Sequence, residues 1–152
     1  MNINNVKWIQ VSTHDDERGS LSAIESNANI PFDIKRIFYM YHIVGGADRG
    51  GHAHLETDQF AIALHGSLRV RVSDGVGSKA FILDNPSWGI YLPKLTWTDL
   101  YDFSDDAVCL VLASTHYDRS KSLRTWVEYL KARNFPIIPL PERGAALRHP
   151  CA

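Results

Sequence analysis

The chain has 152 residues, of which 45% are hydrophobic, enough for one domain with its own core. Its charges nearly cancel, at net −1, and its lysines and arginines are scattered, which argues against a nucleic-acid partner. No apolar run approaches the roughly 20 residues that cross a bilayer, and the polar start Met1-Asn2-Ile3-Asn4-Asn5 lacks a signal core, so no membrane association and a cytoplasmic location are expected.

Short alternating stretches separated by turn residues run along most of the chain, the pattern of an all-β barrel or sandwich. Strands are expected at 6–12, 20–26, 34–44, 57–65, 67–73, 79–84, 89–93, 96–103 and 107–115. Arg18-Gly19, Asp74-Gly75, Asp84-Asn85-Pro86 and Asp105-Asp106 supply the breaks, and His65-Gly66-Ser67 predicts a tight hairpin. In 67–73, Leu68, Val70 and Val72 share one face while Arg69 and Arg71 share the other. In the strand before it, Phe60, Ile62 and Leu64 oppose Gln59, Ala61, Ala63 and His65. Cys109 lies in the apolar run 107–113 and reads as a small buried hydrophobe; with Cys151 in the tail, no disulfide framework or structural zinc site is expected.

One helix is expected near the end, because Leu123, Trp126, Val127 and Leu130 follow helical spacing, with Ser120 or Ser122 as its cap. It is expected to pack over an open edge or end of the barrel. Pro136, Pro139 and Pro141 then exclude a regular helix or central strand. The expected organisation is a single domain over 1–133 and a proline-rich tail over 134–152, docked by Ile137, Ile138 and Leu140.

The chemistry concentrates in Arg49-Gly50-Gly51-His52-Ala53-His54. Two histidines two residues apart in an extended segment project from the same face. An imidazole titrates near neutrality and can take and return a proton. The same spacing also offers two metal ligands on one face, with Glu56 and Asp99 as further donors, so a metal site stands as an alternative. A surface turn is the other alternative. Arg49, Arg69 and Arg71 are candidate anion binders, Arg69 and Arg71 weighed against a solvated strand face. Tyr39 and Tyr41 share one face of a strand, and Trp88, Tyr91, Trp97, Tyr101 and Phe103 are either core or stacking surfaces for a base or sugar. No nucleophile elbow, phosphate-binding loop or dinucleotide glycine motif is present.

Taken in order, Ile34-Lys35-Arg36-Ile37-Phe38-Tyr39, Arg49-Gly50-Gly51-His52-Ala53-His54, Gln59, Gly66-Ser67, Asp74-Gly75, Gly89-Ile90-Tyr91-Leu92-Pro93, Trp97, Asp102-Phe103-Ser104, Val111-Leu112-Ala113-Ser114 and Tyr117-Asp118 resemble the dTDP-sugar 3,4-ketoisomerases of deoxysugar biosynthesis. The resemblance covers roughly residues 6–130. It implies a double-stranded β-helix, the cupin or jelly-roll barrel, with one C-terminal helix. It implies transfer of a keto group from C4 to C3 of dTDP-4-keto-6-deoxyglucose without a metal or other cofactor. It also implies a homodimer, often with N-terminal strand exchange. Carried onto this chain, it makes His52, His54 and Tyr39 the catalytic residues, and Arg49, Gln59 and Trp97 substrate-binding ones; Arg69 joins the latter as a candidate cation for the pyrophosphate. The chain departs from the family pattern at Thr98, where a histidine is usual, at Leu55, where lysine is common, and at His42, where an acidic residue is common.

The residues fit that chemistry independently. A ketone moves between neighbouring carbons when a base removes the C3 proton and a proton returns at C4, through an enediol. A nucleotide-sugar epimerase, a non-catalytic dTDP-sugar binder and a metal-dependent oxygenase are the competing readings.

Overall fold

The computed structural model describes residues 2–150; Cys151 lies outside them. A short 3₁₀ turn at Ile3–Asn5 leads into β1 (Lys7–Gln10), β2 (Ser12–Asp16) and β3 (Gly19–Ala23). The body of the fold follows as β4 (Arg36–Met40), β5 (Arg49–His54), β6 (Gln59–His65), β7 (Leu68–Ser73), β8 (Ser78–Leu83), β9 (Trp88–Leu92), β10 (Trp97–Tyr101) and β11 (Val108–Ala113). Then come β12 (Ser122–Leu123), α1 (Trp126–Ala132) and β13 (Ala146–Leu147).

Two sheets face each other. One runs β1-β9-β6-β11-β4 and the other β12-β5-β10-β7-β8-β13, while β2 and β3 form a separate hairpin. From β4 to β7 each strand lies in the sheet opposite its predecessor, and β9, β10 and β11 alternate again. Consecutive strands alternating between two antiparallel sheets make a jelly roll, or double-stranded β-helix.

That alternation overturns one expectation. His65-Gly66-Ser67 is no hairpin, because β6 and β7 belong to different sheets. Gly66 instead carries the chain across at φ 65°, where a Cβ would lie 2.3 Å from the Ser104 hydroxyl oxygen. The tight hairpin lies one connection later. There the Asp74 carboxylate accepts from the backbone N–H groups of Val76 and Gly77, between β7 and β8.

Strand alternation builds two apolar layers. Leu68, Val70, Val72, Phe81, Leu83, Ile90, Leu100 and Val111 fill the space between the sheets. On the outer side of the first sheet, Phe60, Ile62 and Leu112 pack against Val11, Ile30 and Phe32 from the N-terminal segment. This second layer explains why the apolar stretch at 6–12 breaks into two strands: Val11 is buried, and its N–H donates to the Ser87 carbonyl at 2.8 Å. Cys109 is free and buried, and burial pushes its thiol up to about 12.

The helix begins later than its spacing suggests. Thr125 caps it, accepting from the Glu128 N–H at 3.1 Å, while Ser122 and Leu123 are drawn into β12 against His54 and Ala53. Tyr129 and Leu130 then cover Ala53 and Trp97 on the outside of the second sheet. The following segment docks through Phe135 and Leu140, whereas Ile137 and Ile138 are exposed.

Candidate active site

Strand β5 has no place in the expected strand set, yet it carries the central residues. Its alternation turns Ala53 outward under the helix and His52 and His54 inward. The two rings meet edge to face, 4.8 Å between centroids. They line a cavity of about 110 Å³, together with Arg49, Gly50, Gln59 and Thr98 and an apolar floor that includes Phe38, Met40 and Leu100.

Several contacts fix the pair. The His54 carbonyl accepts from the Leu95 N–H at 2.7 Å, and the Leu95 carbonyl accepts from the Tyr129 hydroxyl at 2.7 Å, so α1 braces the end of β5. Gly50 sits at φ 80° opposite the register shift between Thr98 and Asp99, where a Cβ would fall 2.8 Å from the Thr98 carbonyl oxygen. The glycine thus serves the close approach of two strands.

Gln59 Nε2 lies 3.2 Å from His54 Nε2, and Ser122 Oγ lies 3.4 Å from His54 Nδ1. With the amide donating to Nε2, Nδ1–H points at the serine and the Nε2 lone pair is held by Gln59, so a substrate must displace the amide to reach the base. Burial is the main cause that pulls His54 down to about 4, and the nearby His52, Arg36 and Arg124 lower it further. Burial also lowers His52; Arg124 works with it, while the Gly50 carbonyl and Asp99 oppose it. Both rings are therefore neutral at physiological pH and able to accept protons.

A second, more polar pocket of about 310 Å³ shares His54 as a wall and is lined by Arg36, Glu56, His116, Tyr117 and Lys121. Arg36 lies over the rings of Phe38 and Tyr117, at 5.3 and 5.4 Å, and its buried Nε has no hydrogen-bond partner among the described residues. Arg36 stood in the family-like series but carried no assigned role; its signal is positional, two residues before a cavity-lining phenylalanine on the same face of β4.

Of the seven expected site residues, the fold brings His52, His54, Arg49 and Gln59 together at the cavity. It does not bring Tyr39, Arg69 or Trp97 there. Tyr39 is on the outer face of β4, 60% exposed and stacked on Tyr41, because Phe38 and Met40 take the inward positions. Arg69 faces out from β7 beside Asp102, at 3.7 Å. Trp97 is buried on the outer side of β10 against Trp126 and Tyr129. Among the described residues, no group of three or more His, Cys, Asp or Glu side chains is disposed to hold a metal. Among the described residues no helix is long and apolar enough to cross a membrane.

The family model FdtA (WxcM-like, C-terminal) matches residues 4–134. A TDP-4-oxo-6-deoxy-alpha-D-glucose-3,4-oxoisomerase from Aneurinibacillus thermoaerophilus is 43% identical over 116 residues, covering 76% of this chain and 84% of the relative. QdtA, a sugar 3,4-ketoisomerase from Thermoanaerobacterium thermosaccharolyticum solved with TDP, superposes with a TM-score of 0.84 at 34% identity, over 88% of this chain and 97% of that one. NovW, a 4-keto-6-deoxy sugar epimerase from Streptomyces spheroides, shares the fold alone, with a TM-score of 0.68 at 21% identity over 80% of this chain and 69% of its own. The chain belongs to the FdtA (WxcM-like, C-terminal) family, that of the sugar 3,4-ketoisomerases.

Proposed function

We propose that the protein moves the keto group of dTDP-4-keto-6-deoxyglucose from C4 to C3. The observation that carries this reading is a pair of neutral, inward-facing imidazoles in a cavity whose other walls are mostly apolar, with Arg49, Gln59 and Thr98 as the remaining polar side chains. One imidazole takes the C3 proton. The C3–H electron pair becomes the C3=C4 double bond, and the C4 oxygen gains a proton, giving the enediol. The C3 hydroxyl then loses its proton, C4 gains one, and the ketone stands at C3. Atoms and electrons balance with no net redox change, so the chain's own acids and bases suffice for the reaction.

His52 and His54 are the proposed proton carriers. The Gln59 amide lines the cavity beside the imidazoles, where it can donate to the enediolate oxygens as negative charge develops, while Arg49, exposed at the cavity mouth, binds the substrate. We assign the diphosphate of the nucleotide to the adjoining pocket, where Arg36 has an unfilled donor and Lys121 adds a second cation. Arg69 and Trp97, on outer faces, fall outside this arrangement.

A homodimer completes the proposal. Ile37, Tyr39, Tyr41 and Val44 form an exposed apolar surface on and beyond the edge strand β4, and Leu21 is exposed on the isolated β2–β3 hairpin. In the single chain β1 pairs with its own β9, so strand exchange would replace that pairing. Tyr39 would then act, if at all, at the surface shared with the second copy. A cytoplasmic site for the enzyme agrees with the free Cys109 thiol.

The test is incubation with dTDP-4-keto-6-deoxyglucose in deuterated water, followed by NMR. The expected result is a 3-keto product carrying deuterium at C4. A retained 4-ketone with an inverted neighbouring stereocentre would identify an epimerase, and binding without exchange would identify a non-catalytic binder.

A further inference from the structure

The segment after Asn134 lies beyond the matched family region, yet it is strapped to the outer face of the second sheet. Phe135 packs over Gly75, where a Cβ would fall 2.5 Å from the ring. The Trp126 indole N–H donates to the Ile138 carbonyl at 2.8 Å. Further along, Ala146 and Leu147 pair in parallel with Ala80 and Phe81 of β8, Arg148 reaches Asp84 at 3.2 Å, and His149 stacks on Trp88 at 5.5 Å.

Between these anchors, two contacts converge on the residues behind the cavity mouth. Arg71 is buried and ion-paired with Asp99, and it also donates to the Pro141 carbonyl at 2.6 Å. Asp99 is the residue opposite Gly50, at the irregularity that shapes the start of β5. Arg143 lies 3.9 Å above the Tyr101 ring and pairs with the Asp48 carboxylate. Asp48 immediately precedes Arg49 and Gly50, both on the cavity wall. The Arg143 guanidinium is thus held by a ring on one side and holds the entry of β5 on the other.

We infer that Arg143 is a positioning residue for the active site: through Asp48 it fixes the segment that presents Arg49 to the substrate. This rests on the isomerase reading for its kinetic consequence, though not for its structural one. The pair is half-exposed, so its loss moves the loop's equilibrium modestly and leaves the fold intact. Binding of the substrate suffers, while proton transfer at the histidines does not.

The experiment is a double-mutant cycle between Arg143→Ala and Asp48→Asn, with Arg143→Lys as rescue and Arg148→Ala as control on the same strap. Each member of the pair raises KM about threefold with kcat unchanged, and the double variant rises no further. Arg143→Lys recovers part of the loss, and Arg148→Ala leaves KM at the unaltered value. Amide hydrogen exchange of the peptide containing Asp48–Gly51 is faster in Arg143→Ala than in Arg148→Ala. Equal KM and equal exchange in those two variants would overturn the inference, as would multiplicative effects in the cycle. If the unaltered protein fails to isomerise the sugar, the functional reading falls, and the exchange comparison still decides the role of Arg143.

Discussion

The two faces of β6 are built to opposite ends. Outward, Phe60 and Ile62 are fully buried against Val11, Ile30 and Phe32, and even Gly89 is pressed under the Phe60 ring, with a would-be Cβ 2.2 Å from it. Inward, the same strand offers Gln59, Ala61 and Ala63. Small side chains leave volume that the imidazoles of β5 enter from across the barrel. One face holds the sheet together through bulk, and the other keeps a cavity through its absence. On the proposed reading, stability and chemistry are thereby separated across the thickness of one strand.

The histidines separate the two faces most sharply. His54→Asn and His52→Asn are each expected to lower kcat by about 10²–10⁴, the range for a lost general base. Their melting temperatures should stay close to that of the unaltered protein, since neither ring is part of the bulky outer layer. A fall in stability that matched the fall in activity would merge the two roles. Phe60→Ala is the converse. Emptying the outer layer should cost about 3–5 kcal/mol in chemical denaturation, with kcat retained in the fraction that stays folded.

The sharpest refinement is pH. His54 is depressed from 6.5 to about 4 in the folded protein, so between those values the unfolded chain binds a proton that the folded one does not. Stability therefore falls as pH drops through 6.5, and this group's contribution levels off near 4, at no more than about 3 kcal/mol. The His54→Asn variant should lose less on the same acidification, read as the difference in denaturation midpoints at pH 7 and pH 4.5. His52, also lowered, adds in the same direction. Kinetically, the acid limb assigned to His54 should lie well below pH 6.5.

Much of this was legible from residue order. The strand alternation of β7 placed Leu68, Val70 and Val72 in the core, and the spacing of His52 and His54 put both rings on one face. The connection at Gly66 was not, because a two-sheet crossover and a hairpin both use a glycine with positive φ, and only tertiary pairing tells them apart. The helix start was misplaced for a related reason: Ser122 and Leu123 carry helix-compatible spacing, but the edge of β5 claims them first. Tyr39 and Phe38 are neighbours of similar size, and sequence leaves open which one turns inward. Pairing with β11 in the first sheet decided it, setting Phe38 and Met40 opposite the inward Val111 and Cys109. Arg143 was invisible because its partner, Asp48, lies 95 residues away in the chain.

The most direct check on the central claim is an NMR titration of the imidazole nitrogens in ¹⁵N-histidine-labelled protein, assigned with the His52→Asn and His54→Asn variants. His54 is expected to stay neutral from pH 7 down to about pH 5, protonated on Nδ1, and to titrate near 4. A His54 that titrates near the ordinary 6.5 would mean a solvated, charged ring, and would contradict a buried neutral base at this site.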